Sequence, residues 1–200
     1  MKLLIYALIM AGMMSCTGVM AADTAVEDGG TGTISINGTI RTATCSISLS
    51  SKNVAFELSK SDINTAASGA LLQTKELDVN ISNCAGQKLA MTATASKPDN
   101  TSSISGMFES GDNDKALLYL VGLAEQSSVV SGGDTSTHSG YHLVNLDGST
   151  GVSAVTITPD ATSGQAVVKL DTLIVRNGTV SANNLGSQVV ATYSYNFTYA

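Results

Sequence analysis

The stretch TGTISINGTI, residues 31–40, alternates apolar and small polar residues with the two-residue period of an extended strand. Ile34, Ile36 and Ile40 fall on one face of that strand, and Gly38 falls on the same face. Threonine, serine and asparagine fill the opposite face. The unusual feature is the glycine, which interrupts a row of side chains that a core would bury.

The same alternation continues through the rest of the chain and predicts many short strands separated by Gly, Ser, Asn and Asp clusters. The run ALLYLVGL is continuously apolar, which is typical of a strand buried on both faces or of a short helix. With no repeat and no second domain, the pattern predicts one all-β sandwich. The other runs are NVAFEL, ELDVNISNC, KLAMTATA, YHLVNL, VSAVTIT, QAVVKLDTLIVRN and SQVVATYSYNFTYA.

Four segments depart from this pattern. A phase shift between Arg41 and Cys45 indicates a break or bulge. The segment 59–73 has room for a turn or short helix capped by Ser61 or Asp62. Two polar stretches, 96–115 and 127–140, are predicted to be exposed loops.

The first 21 residues have the features of a signal peptide. Lys2 precedes the apolar run LLIYALIMAGMM, and Val19 and Ala21 occupy the small-residue positions before a cleavage site. We expect cleavage after Ala21, with Ala22 as the alternative. A second interpretation makes Cys16 a lipid-attachment site. Bacterial lipid-attachment motifs usually have leucine three positions before the cysteine, whereas this chain has Met13. The sequence thus divides into a signal peptide (1–21), an extension (22–40) and one domain (41–200).

Charge and cysteine content narrow the classes of partner. The chain has 200 residues and a net charge of −6, and loss of Lys2 with the leader makes it one unit more negative. Such a chain repels nucleic acid and anionic membrane surfaces.

Cys45 and Cys84 remain after cleavage, and an oxidising compartment favours a disulfide between them, worth about 4 kcal/mol in the chain-entropy model. Free thiols or a metal pair are the alternative, but no histidine or CxxC spacing accompanies them.

The last strand of the chain has the most regular pattern. Apolar and aromatic residues occupy every odd position to the end, and an uncovered edge strand of this kind would promote aggregation. The opening strand 31–40 is one candidate cover, either from another copy of the chain or as an ordinary strand of the same sandwich. The alternating residues are Val189, Ala191, Tyr193, Tyr195, Phe197 and Tyr199.

Together these features resemble the pilin subunits of chaperone–usher fimbriae in Gram-negative bacteria, of the type 1 and P pilus kind. GTISINGTIRTATC is similar to the amino-terminal extension and first strand of those subunits, and ISNC matches their second cysteine. Tyr199 matches a penultimate tyrosine, and Gly186 matches the glycine that opens a terminal β motif. The resemblance extends over residues 31–200, but the loops 97–115 and 127–140 have no clear counterpart.

The resemblance implies an immunoglobulin-like sandwich that lacks its final strand and is completed by a donor strand. Ile34, Ile36 and Ile40 would then fill a neighbour's groove, and Gly38 would lie where the groove leaves no room for a side chain. Implied partners are neighbouring subunits, a periplasmic chaperone and an outer-membrane usher, with export through the periplasm to a cell-surface fimbrium. The acceptor groove and chaperone contact would comprise Gly186, Val189, Ala191, Tyr193, Tyr195, Phe197 and Tyr199.

The sequence gives little support for catalysis. His138 and His142 are four residues apart but lie in a Gly/Ser-rich region without helical signals, which disfavours a zinc site. No GxSxG, HExxH or Walker-type motif occurs. We therefore expect a structural fimbrial subunit that is not an enzyme and needs no cofactor or metal. The alternatives are an adhesin that binds a host receptor and a self-contained secreted β-sandwich.

Overall fold

The computed structural model describes residues 29–40, 45–149 and 154–200, which form two packed β-sheets. Among these residues, no helix is long and apolar enough to cross a membrane. In chain order the elements are β1 (Gly29–Ile40), β2 (Ser46–Leu49), β3 (Asn53–Ser59), α1 (Lys60–Thr65), β4 (Leu71–Ser82), β5 (Leu89–Ala95), β6 (Ser105–Met107), β7 (Ser110–Asp112), β8 (Leu117–Ala124), β9 (Val130–Gly132), β10 (Tyr141–Leu143), β11 (Val155–Ile157), β12 (Ala166–Arg176) and β13 (Leu185–Tyr199).

The strand order confirms the predicted all-β sandwich. The first sheet runs β3-β1-β13-β5-β11-β9, with β7 also pairing with β13. The second sheet runs β10-β8-β12-β4-β2, with β6 also pairing with β8. Inward side chains from alternating positions, such as Val79 and Ile81 of β4 and Val168 and Leu170 of β12, form the core between the sheets.

The continuous apolar run predicted as a doubly buried strand or a helix is the strand β8. Tyr119 and Val121 point into the main core, whereas Leu120 belongs to a second apolar cluster on the other face of the sheet. That cluster also contains Leu143, Leu173 and Val175. Burial on both faces explains why the run shows no alternation.

The short helix α1 lies inside the segment where a turn or helix was expected, but the predicted caps were wrong. The N-cap is Ser59, whose Oγ accepts a hydrogen bond from the Asp62 amide at 3.2 Å. A capping hydroxyl must precede the first turn and reach an amide three residues on, which neither Ser61 nor Asp62 does here.

The expectation that 96–115 and 127–140 are simply exposed loops was wrong in part. They contain β6, β7 and β9, and Phe108 and Val130 are buried in the main core. Asp112 is also buried, and its carboxylate accepts hydrogen bonds from the amides of Ala116 and Leu117 at 2.9 Å. The sequence pattern did not reveal these few buried residues, because each is isolated among polar turn residues.

The predicted disulfide between Cys45 and Cys84 is confirmed. It joins the residue before β2 to a residue just after β4, and these two strands are paired neighbours in the second sheet. The predicted bulge at Arg41–Cys45 falls largely on residues 41–44, and the predicted leader on residues 1–21; both lie outside the described residues.

Candidate functional site: the groove between β3 and β13

The terminal strand β13 lies inside the first sheet rather than at its edge. One side of β13 pairs with β5 and β7, and the other side pairs in parallel with β1, from Thr31 opposite Gln188 to Ile40 opposite Phe197. We call the space that β1 fills between β3 and β13 the groove. In this single chain the opening strand therefore completes its own sandwich, which is the arrangement considered as the alternative to a cover from another copy.

The other side of β1 pairs antiparallel with β3, from Gly29 opposite Ser59 to Ser35 opposite Asn53. Just past this ladder, the Ile36 amide donates to the Lys52 carbonyl oxygen at 2.8 Å. The strand is thus hydrogen-bonded along both edges, and removing it would leave backbone groups of both neighbours without partners.

The inward face of β1 carries the residues that the sequence singled out. Ile34 and Ile36 are fully buried in the main core, at 0% and 2% exposure, and lie opposite Ala191 and Tyr193 of β13. The backbone of Ile40 pairs with Phe197, but its side chain lies outside the described residues. Two isoleucines from one short strand therefore help to fill the space between the sheets.

Gly38 lies directly beneath the ring of Tyr195, where a Cβ atom would collide with the ring carbons. Gly32 is in the same situation beneath the ring of Phe56 on β3, which the sequence analysis did not identify. Each glycine thus lets an aromatic ring from a neighbouring strand lie over the backbone of β1. The available signal was the position of Gly32 on the same face, six residues before Gly38.

A row of aromatic rings from separate elements packs beneath the groove. Phe56 contacts Phe108 at 5.7 Å between ring centroids, Phe108 contacts Tyr119 at 5.8 Å, and Tyr119 contacts Tyr193 at 6.1 Å. Burial raises the pKa of both tyrosines, so their hydroxyls are neutral at physiological pH. The Tyr119 hydroxyl donates to the Thr192 carbonyl at 3.1 Å. These mutually packed rings form a rigid base for the groove.

The predicted acceptor residues of β13 do not all line the groove. Val189, Ala191, Tyr193 and Phe197 are buried, Tyr195 is half-buried against Phe197, and Tyr199 at the end of the strand is 37% exposed. Gly186 lies beside Gly111 of β7, before the point where β1 begins to pair. The structure therefore brings the middle of β13 to the groove and leaves Gly186 outside it.

Charged groups lie away from the groove, on the outer face of the second sheet. The Lys169 ammonium contacts a carboxylate oxygen of Glu76 at 2.7 Å and of Asp78 at 2.6 Å. Beside them Asp171 is almost fully buried, and its burial, with a smaller effect of the Glu76 charge, raises its pKa to about 6. This cluster bears on stability rather than on binding in the groove.

No group of three or more His, Cys, Asp or Glu residues suited to a metal occurs in the part of the chain that the structure describes. His142 lies on β10, where its Nδ1 is 2.6 Å from the Gly132 carbonyl oxygen and its Nε2 is 3.8 Å from a carboxylate oxygen of Glu125. His138 lies at a separate shallow cavity of about 370 Å³ on the outer face of the second sheet. The lining of this cavity does not include His142.

The comparisons with known proteins agree with this architecture. No family model matches the chain, and no curated protein matches it. The chain is similar to the crystal structure of the P pilus rod subunit PapA, with a TM-score of 0.50 and 22% sequence identity. The match covers 79% of this chain and 100% of that chain. At this identity the similarity shows that the two proteins share the all-β fold of a pilin.

Proposed function

We propose that this chain is a structural subunit of a chaperone–usher fimbria that polymerises by donor-strand exchange and so supports bacterial adhesion. The observation that carries the proposal is the groove between β3 and β13. The amino-terminal strand β1 fills it with two buried isoleucines and with two glycines that leave room for aromatic rings of the neighbouring strands. Strand addition to an open sheet edge uses this combination of ladder hydrogen bonds and alternating side chains.

The position of β1 in the chain suits it for exchange. The strand precedes the loop closed by the Cys45–Cys84 disulfide, so it can leave the groove while that cross-link stays intact. Every other strand of the first sheet lies after Cys45. A neighbour's strand could therefore replace β1 without rebuilding the rest of the sandwich.

The energetics explain why such a subunit would need assistance. Burial of Ile34 and Ile36 contributes roughly 3–6 kcal/mol before the entropy of ordering is subtracted. The chain's own strand also has the advantage of being tethered, with an effective concentration on the order of millimolar. A periplasmic chaperone that holds the groove open, followed by assembly at an outer-membrane usher, would remove this competition.

The likeness to a P pilus rod subunit supports the same conclusion. It favours neighbouring fimbrial subunits as partners and a cell-surface fimbrium as the final location, reached through the periplasm after removal of residues 1–21.

One observation favours a second candidate, a self-contained secreted β-sandwich. In the single chain β1 already fills the groove and pairs on both edges. A protein of this kind would be a stable monomer without a chaperone, and its function would lie in its exposed loops.

The deciding experiment compares residues 22–200 with residues 41–200, each produced in the periplasm with and without a fimbrial chaperone. If the proposal holds, the longer chain forms polymers, and the shorter chain survives only as a one-to-one chaperone complex that accepts but cannot donate a strand. Size-exclusion chromatography and electron microscopy give the readout. A longer chain that stays monomeric under all conditions would favour the second candidate.

A matched pair of variants separates the inward face of β1 from general effects on the strand. Ile34→Asp with Ile36→Asp places charges in the groove, whereas Thr33→Asp with Asn37→Asp places them on the exposed face. We expect the first pair to abolish polymerisation and the second to preserve it. Equal effects would argue against insertion of this face into a groove.

A further inference from the structure

The tripeptide Asn-Gly-Thr occurs twice in the chain, at residues 37–39 in β1 and at residues 177–179 just after β12. Asparagine followed by glycine is the pair most prone to spontaneous deamidation, because glycine has no side chain to shield its backbone nitrogen. The two copies are chemically alike but lie in different structural settings. The chain therefore contains a reactive pair in its opening strand and an internal reference for it.

The reaction requires only water. The Gly38 backbone nitrogen loses its proton and attacks Cγ of Asn37, and the side-chain nitrogen of Asn37 leaves as ammonia. Water then opens the resulting succinimide ring at one of its two carbonyl groups. One opening gives aspartate, whereas the other gives isoaspartate, in which the main chain continues through the former side chain. Either product carries one more negative charge than the starting chain.

The ladder between β1 and β13 blocks this attack. Asn37 pairs with Ser194, and Gly38 pairs with Tyr195, so the backbone of β1 is held extended at the reactive pair. The Gly38 nitrogen can approach Cγ only if the Asn37 backbone rotates out of the extended conformation, which breaks the ladder. The Asn37 side chain is exposed, so the ladder rather than burial prevents the reaction. A strand outside any groove lacks this restraint and samples many backbone conformations.

The second copy of the tripeptide is held by the body of the sandwich. The Asn177 backbone amide donates to the Ala116 carbonyl oxygen at 2.8 Å. The Asn177 side-chain nitrogen, which would be the leaving group, donates to the Lys115 carbonyl oxygen at 2.7 Å. The Gly178 carbonyl oxygen accepts from Nε of the buried Arg176 at 3.1 Å. None of these contacts involves β1, so we expect them to persist when β1 leaves the groove.

Isoaspartate at position 37 would make β1 unfit for insertion. It lengthens the main chain by one carbon before Gly38 and turns the α-carbonyl of residue 37 into a charged carboxylate. Beyond that point the backbone would lose its register with Tyr195 and Phe197 of β13. Gly38 would then no longer lie beneath the Tyr195 ring. Aspartate at the same position leaves the main chain unchanged and only adds a charge on the exposed face.

We propose that Asn37 is a site of spontaneous deamidation that is protected while β1 lies in a groove and reacts while β1 lies outside one, and that its isoaspartyl form cannot be donated to a neighbour. This inference rests on the proposed function, which gives β1 a period outside any groove before assembly. Subunits that assemble promptly keep Asn37, whereas subunits that stay unassembled lose the ability to donate irreversibly.

The two copies of the tripeptide give the first test an internal control. Monomer and polymer fractions of residues 22–200, and the same chain in urea, are incubated in neutral buffer, and peptide mass spectrometry follows deamidation at residues 37 and 177. In urea the two sites should react at similar rates, because the tripeptides are identical. In the native monomer the rate at each site scales with its open fraction, so Asn37 should react at least about tenfold faster than Asn177. In the polymer Asn37 should be protected.

Three results of the first test would overturn the proposal. They are equal rates at the two sites in the native monomer, a faster reaction at Asn177, and a rate at Asn37 that is the same in monomer and polymer. If no polymer forms, the proposed function fails, whereas the comparison of native monomer with urea still decides whether Asn37 is the sensitive site.

A matched pair of variants tests the consequence for assembly. Asn37→Gln removes the reactive pair, because glutamine would have to close a larger and less favourable ring, and Asn177→Gln does the same at the reference site. After ageing as monomers, wild type and Asn177→Gln should lose polymer yield in proportion to the isoaspartate content at residue 37, whereas Asn37→Gln should keep its yield. Fresh Asn37→Asp should polymerise normally, because aspartate leaves the main chain unchanged.

The outcomes separate this inference from the proposed function. If aged Asn37→Gln loses as much polymer yield as aged wild type, isoaspartate at residue 37 is not the cause and the inference is wrong. If fresh Asn37→Asp fails to polymerise, the added charge rather than the altered main chain is responsible, which also contradicts it. If fresh wild type and all three variants fail to polymerise, the proposed function itself is wrong.

Discussion

At the scale of single residues, the cost of adding a methyl group to a glycine depends on whether the aromatic ring packed against that glycine can move. Phe56 is 2% exposed and packs against Phe108, so its ring cannot swing away without opening the core. Tyr195 is only half-buried, although its ring contacts Phe197, so we expect it to shift more easily than Phe56. Two glycines with the same geometric clash therefore differ in what a methyl group would cost.

We expect Gly32→Ala to lower the free energy of unfolding of the monomer by about 2 kcal/mol, the middle of the range for overpacked cores. Gly38→Ala should change it by less than about 1 kcal/mol, because the ring can shift and the loss of glycine reduces the entropy of the unfolded chain. Urea denaturation of both variants measures the difference. Equal losses would show that the Tyr195 ring is held as firmly as that of Phe56.

The buried carboxyl of Asp171 makes stability depend on pH. Its pKa is raised to about 6 in the folded chain, against an unfolded value of about 3.9. Between these values the folded state binds more protons than the unfolded state, so this residue's contribution to stability falls as pH rises from about 4 to 6 and stays low above that.

Asp171→Asn should therefore raise the free energy of unfolding at pH 7.5 by about 1–2 kcal/mol and have little effect near pH 3.5. The raised pKa already includes the opposing attraction of the nearby Lys169 ammonium. The asparagine amide must also be buried, which keeps the expected gain below the full shift. Thermal melts of wild type and variant across this range give the comparison, with the exposed Glu57→Gln as control. A gain that is constant with pH would mean that the carboxyl does not titrate in this window.

At the scale of elements, the two-residue period was enough to predict strands and their buried faces. Val54 and Phe56, or Val189 and Ala191, are buried because alternation fixes which side of a strand faces a core. Alternation does not say which strand lies beside it, so the parallel partnership of β1 with β13 could not be derived. Phe108 was missed because a single apolar anchor in a polar segment has no period at all.

The disulfide links two elements whose pairing is short. The ladder between β2 and β4 runs only from Ser46 opposite Ser82 to Leu49 opposite Val79. Replacing Cys45 and Cys84 together by alanine should lower the free energy of unfolding by about 2–4 kcal/mol, because the unfolded chain regains the freedom of the closed loop. Chemical denaturation tests this. A loss below about 1 kcal/mol would mean that the ladder alone holds β2.

At the scale of the whole molecule, the proposed exchange divides the first sheet into β1, which would leave, and the strands that would stay. One edge of β13 pairs with β1, while the other pairs with β5 from Tyr193 to Tyr199. Amides along one strand therefore report on two different events: departure of β1, and unfolding of the whole sandwich.

Hydrogen exchange of the monomer should separate these events. If β1 can leave a sandwich that otherwise stays folded, amides in the β1 ladders will exchange with a lower opening free energy than amides in the β13–β5 ladder. Gly32→Ala should lower both values by about the same amount, because the strain beneath Phe56 exists only while β1 is seated and both kinds of opening release it. A single opening free energy for both classes would mean that β1 leaves only when the whole chain unfolds. Under the proposed function, exchange between subunits would then require a partner that binds the chain before the groove closes. The same measurement therefore decides whether the proposed chaperone would open a closed subunit or would have to bind before closure.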